Sequence, residues 1–439
     1  MTGRRLLVLL AVLAAIGVPA AVLQAACVGR SCDEPSEAPR VPFCPLPDEL
    51  KEAIANGYRE GRSPDVLGVA DGVPTVTESG GVRAPWPALA AAADGRVPIV
   101  FAGTGVSGGA SVPADLTLDG IAPTIADVIG FDRPFPGVRS GSVVDGVANG
   151  EQPALVLLVA WKWTGTADLE IRPDRWPFLS ALLAEGTGTL EGGTGSLPLD
   201  PTATIATIGT GGLPSQHGVT GSFVRNDGGA VLPAFGEGAP VPIIATLAED
   251  LDEATGQSSI VSLVASDELD RGLIGGTWYP DHDSDDLIVA RGADAVSASR
   301  SLLRVEGAGD DVPDVLGVVL DGEVPRLDRW TERIVRAARA ATGGSVLVVV
   351  AGTGTRERSR LAISDAELVR AVEDAVPGDA PAVAATVAGG LFLDQGALTE
   401  AAVTGQVAVD ALLGMTTPNG RAMMADAFQG FAVSFARYC

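Results

Sequence analysis

Apolar runs that do not alternate strictly with polar residues, each closed by glycine or a polar turn, recur along the chain and predict strands buried on both faces. They are Ala154 to Ala160 (ALVLLVA), Ser259 to Ala265 (SIVSLVA), Val315 to Leu320 (VLGVVL) and Val346 to Ala351 (VLVVVA). Two more precede them, at Pro64 to Ala70 and at Val97 to Ala102, the second stopping at glycines. Helical spacing lies between the runs. DELKEAIANGYREG starts at Asp48, LDGIAPTIADVIG covers Leu118 to Gly130, and RLDRWTERIVRAARAA sets Leu327, Trp330, Ile334 and Val335 on one face. Strands alternating with helices predict an α/β fold, a mostly parallel central sheet with helices on both faces and ALVLLVA in its middle. The 439-residue chain is long enough for one large domain, expected from Asp48 to Cys439.

The first residues follow another pattern. Arg4 and Arg5 precede an apolar run from Leu6 to Leu23, broken by Gly17 and Pro19 and followed by Ala25 and Ala26. Residues 1–26 therefore read as a secretory signal, or as a retained membrane anchor, with acylation of Cys27 a third reading that Gln24 disfavours. Export makes the cysteines disulfide candidates. Cys27, Cys32, Cys44 and Cys439 stand at the two ends of the mature chain and lack the paired spacing of a zinc cluster. Residues 27–47, rich in Pro, Glu and Ser, predict an extended linker.

A formal net charge of −25, with Lys51 and Lys162 the only lysines, sets the partners. Such a surface repels phosphate backbones and anionic head groups, which excludes nucleic acid and leaves membrane contact to the N-terminal segment. The acidic run around Asp281, Asp283 and Asp285 has the alternation that suits calcium, or is a solvated loop. Asp286 stands where an EF-hand has glycine, and Gly292 where it closes with glutamate.

The densest chemistry is in LPLDPTATIATIGTGGLPSQHGVTG, Leu197 to Gly221. A hydroxyl-bearing loop enters a helix whose free N–H groups suit an anion; alternatively, its Thr and Gly residues pack that helix tightly on a sheet. The stretch resembles the alkaline phosphatase superfamily, in particular the type I phosphodiesterase and nucleotide pyrophosphatase branch. Thr210-Gly211-Gly212-Leu213-Pro214-Ser215-Gln216-His217-Gly218 matches that branch's T-G-x-x-P-x-x-H-G ending. The resemblance puts the nucleophile at Pro201, so either the register slips to Thr202, with Asp200 as base and Thr204 as a ligand contact or itself the nucleophile, or the nucleophile is gone.

The order of the resembling segments is changed. Residues 58–145 resemble the family's C-terminal part and 152–439 its N-terminal and middle parts, which implies a circular permutation. Permutation in turn implies that the ends lie side by side, with Cys44 and Cys439 bonded and Cys27 and Cys32 pairing locally. Active relatives hold two zinc ions on acids and three histidines. Here only His217 and His282 exist, the acid after the first strand is replaced within Ala160-Trp161-Lys162-Trp163, and the Asp-His-Gly becomes Gly352-Thr353-Gly354. Asp321 matches one family acid, but Pro325 replaces the histidine four residues on. The resemblance thus implies no zinc cofactor and an inactive, exported binding or structural module with an envelope partner or small anionic ligand. The alternative is a phosphoester or sulfoester hydrolase with a rebuilt site. Lys162 either holds an anion near the vacated metal position or snorkels past Trp161 and Trp163.

Overall fold

A computed structural model describes residues 41–79, 82–89, 95–275, 278–279, 286–304, 312–359, 362–435 and 439. The predicted signal or anchor, Cys27, Cys32 and the candidate calcium residues Asp281, Asp283 and Asp285 lie outside the described residues. Among those described, no helix is long and apolar enough to cross a membrane.

Residues Pro42 to Cys439 group as one compact unit. Its strands, in chain order, are β1 (Val66–Ala70), β2 (Val76–Ser79), β3 (Val82–Pro85), β4 (Arg96–Gly103), β5 (Leu155–Lys162), β6 (Thr187–Gly193), β7 (Phe223–Arg225) and β8 (Val231–Pro233). They continue with β9 (Val261–Ala265), β10 (Asp286–Val289), β11 (Asp314–Asp321), β12 (Val346–Gly352), β13 (Val383–Val387), β14 (Gly390–Leu393) and β15 (Met424–Gln429).

Seven of these form the central sheet in the order β10-β9-β11-β5-β12-β4-β6. The first five are mutually parallel, while β4 runs antiparallel to both β12 and β6. The predicted mostly parallel sheet is present, and β5 stands at its centre. Every residue of β5 is buried because helices cover both faces. Its side chains alternate between two cores. Val156, Leu158 and Ala160 meet the helices Ile121–Ile129, Pro201–Thr210 and Leu247–Ala254, whereas Leu155, Leu157, Val159 and Trp161 meet Pro177–Glu185, Ala293–Leu302 and Val324–Ala341.

A second sheet, β13-β14-β1-β15, is antiparallel and joins the beginning of the body to its end, β1 pairing with β15 from Val66↔Gln429 to Ala70↔Met424. The body begins before the expected boundary at Asp48. Phe43 and Leu46, placed by sequence in the linker, are buried against Val69, Phe428 and Val433, and Phe43 N donates to Asp426 Oδ2 at 2.8 Å. An aromatic side chain can leave water there, which a Pro/Glu/Ser composition averaged over the segment conceals. Beside it, Cys44 and Cys439 are disulfide-bonded with Cα atoms 5.2 Å apart and 395 residues of separation.

Closing so long a loop removes unfolded-state entropy worth roughly 5 to 6 kcal/mol in the chain-entropy model. We expect Cys44→Ser and Cys439→Ser to lower the urea midpoint equally, and the double variant to add nothing further, as equilibrium unfolding under non-reducing conditions would measure.

Candidate functional site

The Pro201–Thr210 helix is the element from which the site is built. All ten of its residues are buried, so its polar ends need partners within the protein. At the N-terminus Asp200 caps it, Oδ1 accepting from Thr202 N at 2.9 Å while Oδ2 accepts from Ser222 N at 2.9 Å. Pro201 occupies the first turn, where a missing N–H is harmless. Gly211, at φ 74°, closes the other end. There Thr210 O accepts from Arg133 Nη1 at 2.9 Å and Arg139 Nε at 3.1 Å, and both guanidiniums bind Asp250 Oδ2 at 2.8 Å. Burial, with Arg139 beside it, pushes Arg133 down to about 10, against the pull of Asp250.

His217 is fully buried and serves the same helix. Its Nδ1 accepts from Val219 N at 3.1 Å, so the ring proton is on Nε2, 3.1 Å from Thr207 Oγ1. Burial, then the charge of Arg62, push the imidazole down to about 3.

At the helix N-terminus and the C-terminal ends of the parallel strands lies a cavity of about 360 Å³. Lys162, Asp200, Thr202, Asp267, Arg291 and Asp321 supply part of its polar wall, with Glu78 beside them, and Trp163, Phe223, Ala84 and Ala388 much of its apolar one. Ligands of open α/β sheets gather at such an edge. A cleft of about 590 Å³ beside the Asp48–Gly57 helix is larger, but it contains none of the expected site residues.

Lys162 ends the central strand in register with Asp321 of β11. It is 6% exposed, and its ammonium reaches past β11 to residues that follow β9. There Nζ donates to Asp270 Oδ1 at 2.6 Å, Asp267 Oδ2 at 2.8 Å and Ser266 Oγ at 3.4 Å. Burial opposes the ammonium, yet the charges of Asp270 and Asp267 hold it above the usual lysine range. Asp270 is wholly buried, and burial pushes its carboxyl up against the pull of Lys162. Ser266 N and Oγ and Asp267 N also donate to Asp270 Oδ2, at 2.8, 2.6 and 3.1 Å, which favours the ion pair.

This placement corrects the expectation for Lys162. The side chain does not snorkel, and its three protons point at acceptors of the protein, so an arriving anion would meet two carboxylates. Thr204 likewise faces away from the cavity. It is fully buried, with Oγ1 donating to the carbonyls of Asp200 and Pro201 at 3.2 Å. Thr202 and Asp200 do share the cavity wall. Among the described residues no hydrogen bond joins the Thr202 hydroxyl to Asp200, whose oxygens are occupied as described.

The acids at this edge do not fit the two zinc ions that active members of the resembled family hold. Asp267 and Asp270 are bound to Lys162, Asp200 to backbone N–H groups, and Asp321 Oδ1 lies 3.4 Å from Arg356 Nη2. Among the described residues, no group of three or more His, Cys, Asp or Glu is disposed to hold a metal ion. Sequence reasoning missed Asp267 and Asp270, although Ser266-Asp267-Glu268-Leu269-Asp270 directly follows a predicted strand. It also missed Trp163, whose φ of 57° is an uncommon backbone state for so bulky a residue.

Two outcomes follow from this geometry. Lys162→Met leaves Asp270 buried without its cation and should lower stability by about 3–5 kcal/mol in urea unfolding. For His217, the unfolded chain binds a proton between pH 6.5 and about 3 that the folded chain refuses. Its contribution is therefore complete above that window and falls by roughly 1.4 kcal/mol per pH unit as the pH drops. In His217→Gln that slope should vanish between about pH 6.5 and 5, read from urea midpoints.

The chain matches no family model, and no curated protein matches it.

Proposed function

We propose that the body is an exported, circularly permuted and non-hydrolysing relative of the metal-dependent phosphodiesterases, serving as a binding module of the cell envelope. The observation that carries this reading is the Lys162 ammonium at the end of the central strand, 2.6 Å from Asp270 and 2.8 Å from Asp267. Phosphoryl transfer needs positive charge directed at the transferring group. Here the positive charge at the strand ends is directed at the protein's own carboxylates. Permutation is supported by the paired β1 and β15 and by the disulfide that holds the two ends of the body together.

The same bond is compatible with an oxidising, extracytoplasmic location, to which residues 1–26 would direct the chain. In this reading the membrane is met only through that segment. The net charge of −25 keeps nucleic acid away and leaves an envelope component as partner.

A rebuilt hydrolase is the second reading, favoured by one observation: Thr202 and Asp200 line the same cavity. Thr202 would be the nucleophile and Asp200 its base. The two readings separate in one assay. The purified full chain should hydrolyse a chromogenic phosphodiester no faster than buffer, with or without added zinc. Turnover that disappears in Thr202→Ala would overturn the first reading in favour of the second.

A further inference from the structure

The chain that covers the C-terminal end of the Pro201–Thr210 helix leaves apolar side chains in solvent. Phe135 is 78% exposed, more than any other large apolar residue among those described, with Val138 at 47% and Val143 at 40%. Val143 lines a groove of about 440 Å³ together with Pro123, Ala126, Phe131 and Pro136, the neighbour of Phe135. Single exposed apolar residues are ordinary, but a group of them beside a groove marks a contact surface.

The loop that carries Phe135 is fastened from beneath. Its backbone sits at φ 50°, ψ 53°, a left-handed state uncommon for so bulky a residue, between Pro134 and Pro136. Arg139 Nη1 donates to the carbonyls of Pro134 at 2.8 Å and Phe135 at 3.2 Å, while Arg139 Nε and Arg133 Nη1 tie the loop to Thr210 O. An aromatic residue whose backbone is already fixed loses less entropy on contact, which suits an interface anchor.

The rim of the groove is acidic. Asp127 and Asp132 are exposed, line it, and have no salt-bridge or side-chain hydrogen-bond partner among the described residues. Arg133 and Arg139 line it too, but they are 6% and 7% exposed and both bind Asp250. Glu249 also acts on Arg133, so two acids balance these two cations and the rim carboxylates are left uncompensated.

We infer that this face docks a basic amphipathic segment of a partner protein, with Lys or Arg on Asp127 and Asp132 and an apolar side chain in the groove beside Phe135. A second copy of the chain, itself at −25, is repelled from such a rim. The face lies at the opposite end of the helix from the cavity, so the partner it selects is independent of the chemistry at the strand ends.

The experiment is fluorescence anisotropy of a labelled peptide, about 14 residues of leucine and lysine in amphipathic helical spacing, titrated with the purified full chain. The peptide should bind at least tenfold more tightly than analogues with Glu for Lys or Ser for Leu. Phe135→Asn, a residue that tolerates the left-handed state, should weaken it at least fivefold without lowering the urea midpoint. Asp127→Asn with Asp132→Asn should weaken it at least threefold. Ile171→Asn, exposed beside the helix whose Leu169 packs on the other core, should leave it unchanged. Affinity equal in the wild-type chain and Phe135→Asn would mean general attraction to an acidic body and would overturn the inference, as would no binding or equal binding of the analogues. A dimer in sedimentation velocity, or flotation with phosphatidylcholine vesicles, that Phe135→Asn abolishes would overturn it in favour of a second copy or a lipid surface. If Phe135→Asn fails to fold, Val138→Asn and the two aspartate changes decide. Phosphodiester turnover would sink the non-hydrolysing reading and leave this inference standing, whereas peptide affinity indifferent to Phe135 sinks this inference alone.

Discussion

A helix with no exposed residue cannot leave its terminal N–H and C=O groups to water, and that constraint on Pro201–Thr210 organises the structure around it. Asp200 accepts from Thr202 N and, through Ser222 N, fixes the chain that returns beside the helix N-terminus. Arg133 and Arg139 satisfy Thr210 O and bring Asp250 with them. Two adjacent guanidiniums there oppose the negative end of the helix dipole, and one carboxylate limits their mutual repulsion. The threonines bond back along the helix, Thr207 Oγ1 to Ala203 O at 3.2 Å and Thr210 Oγ1 to Ala206 O at 2.6 Å, so no hydroxyl on those faces is orphaned. Gly209 completes the fit. A Cβ there would lie 2.3 Å from Gly272 O, so only glycine lets the helix approach the turn that carries Asp270.

That close approach links the helix to the charge at the strand ends. The turn Glu268–Leu273 lies against the helix at Gly209 and Ala206, and from it Asp270 meets Lys162 across the end of the sheet. One buried cation thus ties β5, the segment after β9 and, through packing, the helix whose N-terminus opens on the cavity. Burying a pair of charges is seldom a net gain over apolar packing, but removing either partner is costly, so the arrangement resists change one residue at a time.

The second sheet and the disulfide play a different part. β4, from the first third of the body, enters the central sheet antiparallel between β12 and β6, while β1 pairs with β15 in the smaller sheet. The beginning of the body is therefore divided between two sheets. Contacts of such long sequence separation carry a large loop-closure cost, and the Cys44–Cys439 bond removes part of it from the unfolded chain.

The main strands and helices of the body are set by local sequence. Apolar runs such as ALVLLVA and VLVVVA become strands, and Asp200-Pro201 and Gly211 bound a helix, because a strand buried on both faces and a capped helix are set by residues a few positions apart. The contacts of His217 are equally local, since the ring's partners Thr207 and Val219 lie within ten residues of it. The character of the candidate site was not legible in this way. Lys162 looked like a free cation because Asp270 is 108 residues away, and Thr204 looked like a ligand contact until its hydroxyl met the carbonyl of Asp200 inside its own helix. These points, along with the order of the strands and the burial of Phe43, emerge only on folding. The sign of a cavity depends on which charges folding brings within a few ångströms and removes from water, and pairwise distance and desolvation are properties of the assembled chain rather than of any local stretch.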